Sequence, residues 1–312
     1  MYDRIKIWCD VGVVGDVMPT IANYLDNAKD SIDRQTGEIM SYGEIGNVKV
    51  NIHVGGVSIY GSIAKYLFDG SNVPTLDRHT TAQAMEKLSD RLHFHVGNGK
   101  VTSLEFATNF PMRYSVPMYL DRLGDMPRLV RNQFASSLYY QGKTNLKRLI
   151  FYDKQADAKA KGMIVPDVLS DSNILRYELK LVGQISRQLN VDEVTANSLS
   201  TKSIYMKLMA MYKDSYHSIN KVKQLRTDIM TEIKTPTDAL NVFVARLIRE
   251  KGIDEVSRFI EELKAANVFG DAKNYTRFKN KIRDIASKAD ITQTDELIKE
   301  LDNEISNVGI YS

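Results

Sequence analysis

The chain has 312 residues, 43% of them hydrophobic, which suffices for one large domain or two ordinary ones with a real core. Its formal net charge of +3, with a pI near 8.6, is too mild to announce a nucleic-acid binder. The single cysteine, Cys9, excludes an internal disulfide and a multi-cysteine zinc site, and the absence of a long apolar run or a signal-like N-terminus predicts a soluble, cytoplasmic protein without membrane contact.

In chain order, MYDRIKIWCDV reads as an opening strand, with Cys9 as a small core residue. Turn chemistry at Gly12 to Gly15 follows that strand, and Gly55-Gly56 interrupts the strand-like NVKVNIHVGGVSIYGS. A helix follows, capped by Thr80 or Thr81, in which Ala84, Met85 and Leu88 form a stripe with Leu92 beyond. His93-Phe94-His95 precedes the turn Gly97-Asn98-Gly99. On a strand His93 and His95 would point the same way, as a metal pair must, but so short a match is more simply two histidines near a strand end. His53, His79 and His217 have no such spacing.

Three strands then carry chemistry. VTSLEFATNF, Val101 to Phe110, sets Ser103, Glu105 and Ala107 opposite Leu104, Phe106 and Thr108. After the hairpin SSLYYQG, KRLIFYDKQADAK (Lys147 to Lys159) reads as a strand with Ile150, Tyr152 and Lys154 on one face. ILRYELKL, Ile174 to Leu181, puts Ile174, Arg176, Glu178 and Lys180 on one face and Leu175, Tyr177, Leu179 and Leu181 on the apolar one. In a shared sheet, Glu105, Tyr152, Lys154, Arg176 and Glu178 converge.

From Asn190 onward strand signals give way to helices. One starts near Ser200 or Thr201, with a Met and Tyr stripe of core type. Another opens at Thr235-Pro236 or Thr237-Asp238, and further ones span Asp254 to Asn267, Tyr275 to Lys288 and Thr292 to Ser306. The change of texture places a soft boundary near residue 195. Basic residues cluster twice. Eight Lys or Arg face two acids between Arg128 and Lys161, and six face one between Lys273 and Lys288. Solvated faces explain such runs equally well.

Tyrosine attack on a phosphodiester needs a phenol beside phosphorus, cations to offset oxygen charge, and a path for the phenolic proton. Glu105 and Glu178 offer hard oxygen ligands for Mg²⁺ or Mn²⁺. Lys154 would lower the phenol pKa or neutralise charge, and Arg176 would clamp a phosphate through its planar fork. The plain alternative is an Arg176–Glu178 salt bridge on a solvent face and an amphipathic Tyr152. Lys143, Lys147 and Arg148 are candidates for holding the strand to be cut. Lys273, Arg277 and Lys281, with Lys288, recur along one helix face that could follow duplex DNA.

The ordered set, a Tyr-x-Lys strand after a YxG hairpin and then an Arg-x-Glu strand, resembles the rolling-circle replication initiators of the phage/plasmid II/X family over roughly the first two thirds of the chain. The resemblance implies an antiparallel-sheet nickase-like domain, which the change of texture bounds at 1–195; with the all-helical region over 196–312, packed on it or binding DNA, the expected fold class is α+β. It implies site-specific nicking and rejoining of origin DNA, duplex and single-stranded, through a covalent 5'-phosphotyrosyl intermediate, with a host helicase and polymerase as partners. Tyr152 matches the expected nucleophile, with Tyr139 or Tyr140 as rivals. Glu105 stands where an aspartate is expected, one methylene longer. The His-hydrophobe-His motif belongs to another class of rolling-circle nickase. A non-catalytic origin-binding or copy-number protein on the same fold is the alternative.

Overall fold

In a computed structural model, which describes residues 1–72, 74–162, 172–225, 233–287 and 292–309, the alternating segments pair into one ten-stranded sheet. The strands are β1 (Tyr2–Asp10), β2 (Asp26–Ile32), β3 (Ile39–Ile45), β4 (Val48–His53), β5 (Gly56–Ser62), β6 (Lys100–Met112), β7 (Val130–Phe134), β8 (Ser137–Gln141), β9 (Lys147–Asp153) and β10 (Asn173–Val182). Their order is β2-β3-β4-β5-β1-β6-β10-β9-β8-β7, and every neighbouring pair is antiparallel. The three strands carrying the candidate residues are adjacent, with β10 between β6 and β9. The α+β expectation holds in that this sheet comes first and helices follow, but the later region is not all-helical: Lys223–Leu225 pairs antiparallel with Thr292–Thr294, and the helix expected from Thr292 starts at Glu296.

Strand periodicity gives the sheet two different faces. On one, Leu149, Phe151, Tyr177, Leu179 and Phe106 are fully buried. A helix, Lys202–His217, covers them because Ile204, Tyr205, Leu208, Tyr212 and Tyr216 recur at helical spacing and are all buried. Tyr177 stacks on Phe151 at 4.3 Å and on Tyr212 at 4.1 Å, and each tyrosine hydroxyl of the Tyr177–Tyr212 pair donates to the other residue's carbonyl, at 3.0 and 3.1 Å. Both phenols are thus satisfied in an otherwise apolar layer. The helix Arg78–Leu92 starts earlier than the sequence suggests. Asp77 accepts from the Thr80 amide while the Thr80 hydroxyl accepts from the Asp77 amide, and this reciprocal cap outcompetes Thr80 or Thr81 alone.

Contacts divide the chain into two compact units, one of residues 1–120, 125–219 and 303 onward, the other of residues 121–124 and 220–302. The division after residue 219 leaves helix Lys202–His217 with the sheet, beyond the change of texture near residue 195. In the second unit, Pro236–Lys251 is capped reciprocally by Thr235 and Asp238 and ends at Gly252 with φ +88°. Helices Ile253–Ala265 and Ala272–Ser287 follow, and Ala245 and Ile285 form a small core with Val242 and Val244. Arg122 donates from Nε to buried Asp295 at 2.7 Å within this unit. Among the described residues no helix is long and apolar enough to cross a membrane.

Candidate active site

The polar face of the sheet is organised in rows, one residue per strand. Asn109 on β6 pairs with Arg176 on β10, Arg176 with Tyr152 on β9, and Tyr152 with Ser137 on β8. The next row on that face holds Ala107, Glu178, Ile150 and Tyr139, and the one after holds Glu105, Lys180, Arg148 and Gln141. Convergence of Glu105, Tyr152, Arg176 and Glu178 is therefore a consequence of register, as the alternation predicts. Glu105, Tyr152 and Glu178 border a cleft of about 480 Å³ whose walls also include Asp3, Tyr139 and Lys154, while Arg176 is not among the lining residues.

Arg176, 1% exposed, is the hub. It donates from Nε to Glu178 Oε1 at 2.6 Å, from one terminal nitrogen to Asn109 at 3.1 Å, and from the other to Asp3. Burial opposes its charge, but the Glu178 and Asp3 carboxylates outweigh that and raise its pKa. Burial likewise opposes the charge of Asp3, yet Arg176 prevails, helped by Ser62 and Asn72, and holds that carboxyl below its ordinary value. The Tyr152 hydroxyl donates to the same Glu178 Oε1 at 2.9 Å. Burial drives the phenol well above its ordinary pKa and Glu178 adds to this, with Arg176 offsetting part. Glu105 is raised by burial and by Glu178, against the opposing Lys180, whose ammonium donates to it at 2.6 Å.

Lys154 reaches the site by another route. The strand ends at Asp153, whose carboxylate accepts from the Gln155 and Ala156 amides at 2.9 and 3.0 Å and caps a helix, Lys154–Ala160. The sequence expectation of a strand through Lys159 is corrected there, since capping and the helix formers of KQADAKA win over continued alternation. Lys154 still lines the cleft and donates to Asn72 at 3.1 Å. Burial first, then Arg176, lowers its pKa to about 8.

The other sequence candidates separate. Tyr139 lines the cleft, whereas Tyr140 is fully buried on the opposite face, its ring edge-on to Phe151. Lys143 is exposed in the β8–β9 turn and Arg148 shares the cleft face. Lys147, one residue from Arg148, points the other way, beside Asp214, so the three do not form one arc. Lys273, Arg277 and Lys281 are exposed on helix Ala272–Ser287, and Lys288 lies outside the described residues. His93 is the left-handed C-cap of its helix at φ +60°, its ring tilted 47° against that of Tyr24, and neither it nor His95 lies on a strand. Asp3, Asn72 and Asn109 carry no role in the sequence reading. The one available signal for Asp3 was a carboxylate between apolar residues of the opening strand.

Asp3, Glu105 and Glu178 bring one oxygen each within 4.8 Å of one another. Three hard donors at that spacing suit Mg²⁺ or Mn²⁺, with Arg176 and Lys180 balancing the charge in the geometry seen here.

The family model Phage_CRI, which describes the N-terminal region of a replication-associated protein, matches residues 36–236, which include Glu105, Tyr152, Lys154, Arg176 and Glu178. The chain belongs to the Phage_CRI family of replication-associated proteins. The resemblance to a phage/plasmid rolling-circle replication initiator is thereby met. Among solved structures, this Phage_CRI chain is similar to the rolling circle replication initiator protein of Geobacillus stearothermophilus, at 10% identity and a TM-score of 0.42, over 73% of this chain and 88% of that one. No curated protein sequence matches it.

Proposed function

We propose that the cleft nicks and rejoins one strand of origin DNA by transesterification, starting rolling-circle replication. The Tyr152 oxygen bonds to phosphorus as the bond from phosphorus to the 3' oxygen breaks, giving a 5'-phosphotyrosine and a free 3'-hydroxyl. The phenolic proton passes by way of Glu178 Oε1 to the departing 3' oxygen, so the step needs no other reactant. The carrying observation is the 2.9 Å bond from the Tyr152 hydroxyl to Glu178, in a cleft that also holds Lys154 and three clustered carboxylates. Arg176 orients Glu178 and Asp3, and Lys154 offsets charge on the phosphate. Bound by Asp3, Glu105 and Glu178, Mg²⁺ or Mn²⁺ would polarise the phosphate and stabilise charge on its non-bridging oxygens.

Lys143 and Arg148 are proposed to hold the cut strand, Arg148 with a buried Nε that lacks a hydrogen-bond partner. Lys273, Arg277 and Lys281 are proposed to follow duplex DNA. A host helicase and polymerase in the cytoplasm would use the 3' end. The ion pairs that tie Arg176 to Asp3 and Glu178 favour a second reading, origin binding without cleavage. Supercoiled DNA carrying the element's own origin separates the two. Cleavage predicts relaxation and a covalent adduct with Mg²⁺ or Mn²⁺ and none in EDTA, whereas a shifted band without relaxation in any metal supports the second reading.

A further inference from the structure

The row containing Tyr152 continues past β8 to the edge of the sheet. Ser137, opposite Tyr152, pairs with Phe134 on β7, and Tyr139 pairs with Asn132 in the next row. Phe134 thus shares the face of Tyr152, and its ring lies edge-on to Tyr139, centroids 5.7 Å apart at 88°. Phe134 is 62% exposed, and Tyr139 lines the cleft with Ser137 and Tyr152. An isolated exposed apolar residue is ordinary. Here the exposed ring is one of a pair that continues a cleft wall, on the registered row that includes the candidate nucleophile.

The other walls of the cleft decide which occupant fits. Arg4, Lys65, Lys154, Lys161 and Lys180 line it together with the carboxylates of Asp3, Glu105, Asp153, Asp157 and Glu178; Lys161 is paired with Asp157 and Lys180 with Glu105, which leaves Arg4, Lys65 and Lys154 as the cations facing an incoming phosphate. Cations beside an open aromatic face suit a ligand that alternates phosphates with flat bases, and in a duplex those bases are stacked on each other and hidden from a side-chain ring. We propose that Phe134 and Tyr139 form a stacking subsite for an unpaired nucleobase beside the scissile phosphate. This rests on the reading of the cleft as the place of strand cleavage.

The full chain is titrated in EDTA with fluorescent oligothymidylate and with an abasic strand of equal length, which keeps the phosphates and lacks the bases. Phe134→Ala and Tyr139→Ala are each expected to weaken oligothymidylate binding about tenfold and to leave the abasic strand unchanged. Phe134→Trp and Tyr139→Phe, which keep a ring, should bind as the unaltered chain does. Unchanged oligothymidylate binding in both alanine variants overturns the subsite, as does an equal loss on both strands. Loss of the covalent adduct in Tyr139→Phe would also overturn it, by making Tyr139 the nucleophile. The two readings fail separately. Base-dependent binding without any nick overturns only the cleavage reading, and nicking with unchanged binding in the alanine variants overturns only the subsite.

Discussion

At the scale of single residues, one oxygen of Glu178 accepts from both Tyr152 and Arg176, so the proposed nucleophile and the hub share an anchor. Tyr152→Phe removes one hydroxyl and should abolish the covalent adduct on origin DNA, while origin binding stays within a few-fold. Glu105→Gln or Glu178→Gln should cut cleavage with partial recovery in excess Mn²⁺. Normal cleavage by both would remove the metal role. Asp3→Ala leaves the buried Arg176 guanidinium undercompensated and should lower stability by about 3 kcal/mol, read from urea unfolding. Lys154 adds a pH dependence. Its folded pKa of about 8 lies below the ordinary lysine value, so its ammonium persists below that pH and is lost above it. Cleavage that uses this charge should decline as pH rises through about 8, and Lys154→Arg should abolish the decline. The sign is opposite for folding: burying the cation costs stability below about pH 8, and that cost fades as the pH climbs toward the unfolded value.

At the scale of elements, the short helix after β9 exists because Asp153 caps it. Asp153→Ala should cost about 1 kcal/mol and reduce cleavage through Lys154, with thermal unfolding and a nicking assay as the two readouts. On the opposite face, Tyr212→Ala removes a ring stacked on Tyr177 and should cost about 3–5 kcal/mol. Much of this architecture is legible in sequence, because β6, β9 and β10 alternate and alternation fixes which residues share a face. Asp153 before KQADAKA was a readable cap, yet two-residue spacing at Tyr152 and Lys154 concealed it. β2 is exposed at every residue and lacks the alternation that would announce a strand. Asp3 was illegible for a different reason: its partner Arg176 lies 173 residues away, and only the order of strands brings them together.

At the scale of the whole molecule, the helix Ala272–Ser287 packs Ile285 into its unit's small core and leaves Lys273, Arg277 and Lys281 exposed. Replacing Lys273, Arg277 and Lys281 by Gln should leave stability within about 0.5 kcal/mol and lower the log–log salt slope of duplex origin binding by up to about 3. Equal losses on single-stranded and duplex origin DNA would contradict a dedicated duplex contact. In the sheet, the row from Asn109 through Arg176, Tyr152 and Ser137 to Phe134 holds one residue from each of five strands. It therefore has a reading frame. One residue inserted within β9 ahead of Phe151 would turn the Tyr152 hydroxyl toward the packed tyrosines and bring apolar Phe151 round to the cleft, much as a frameshift rewrites every later codon. The same insertion in the turn at residues 142–146 would leave the frame intact.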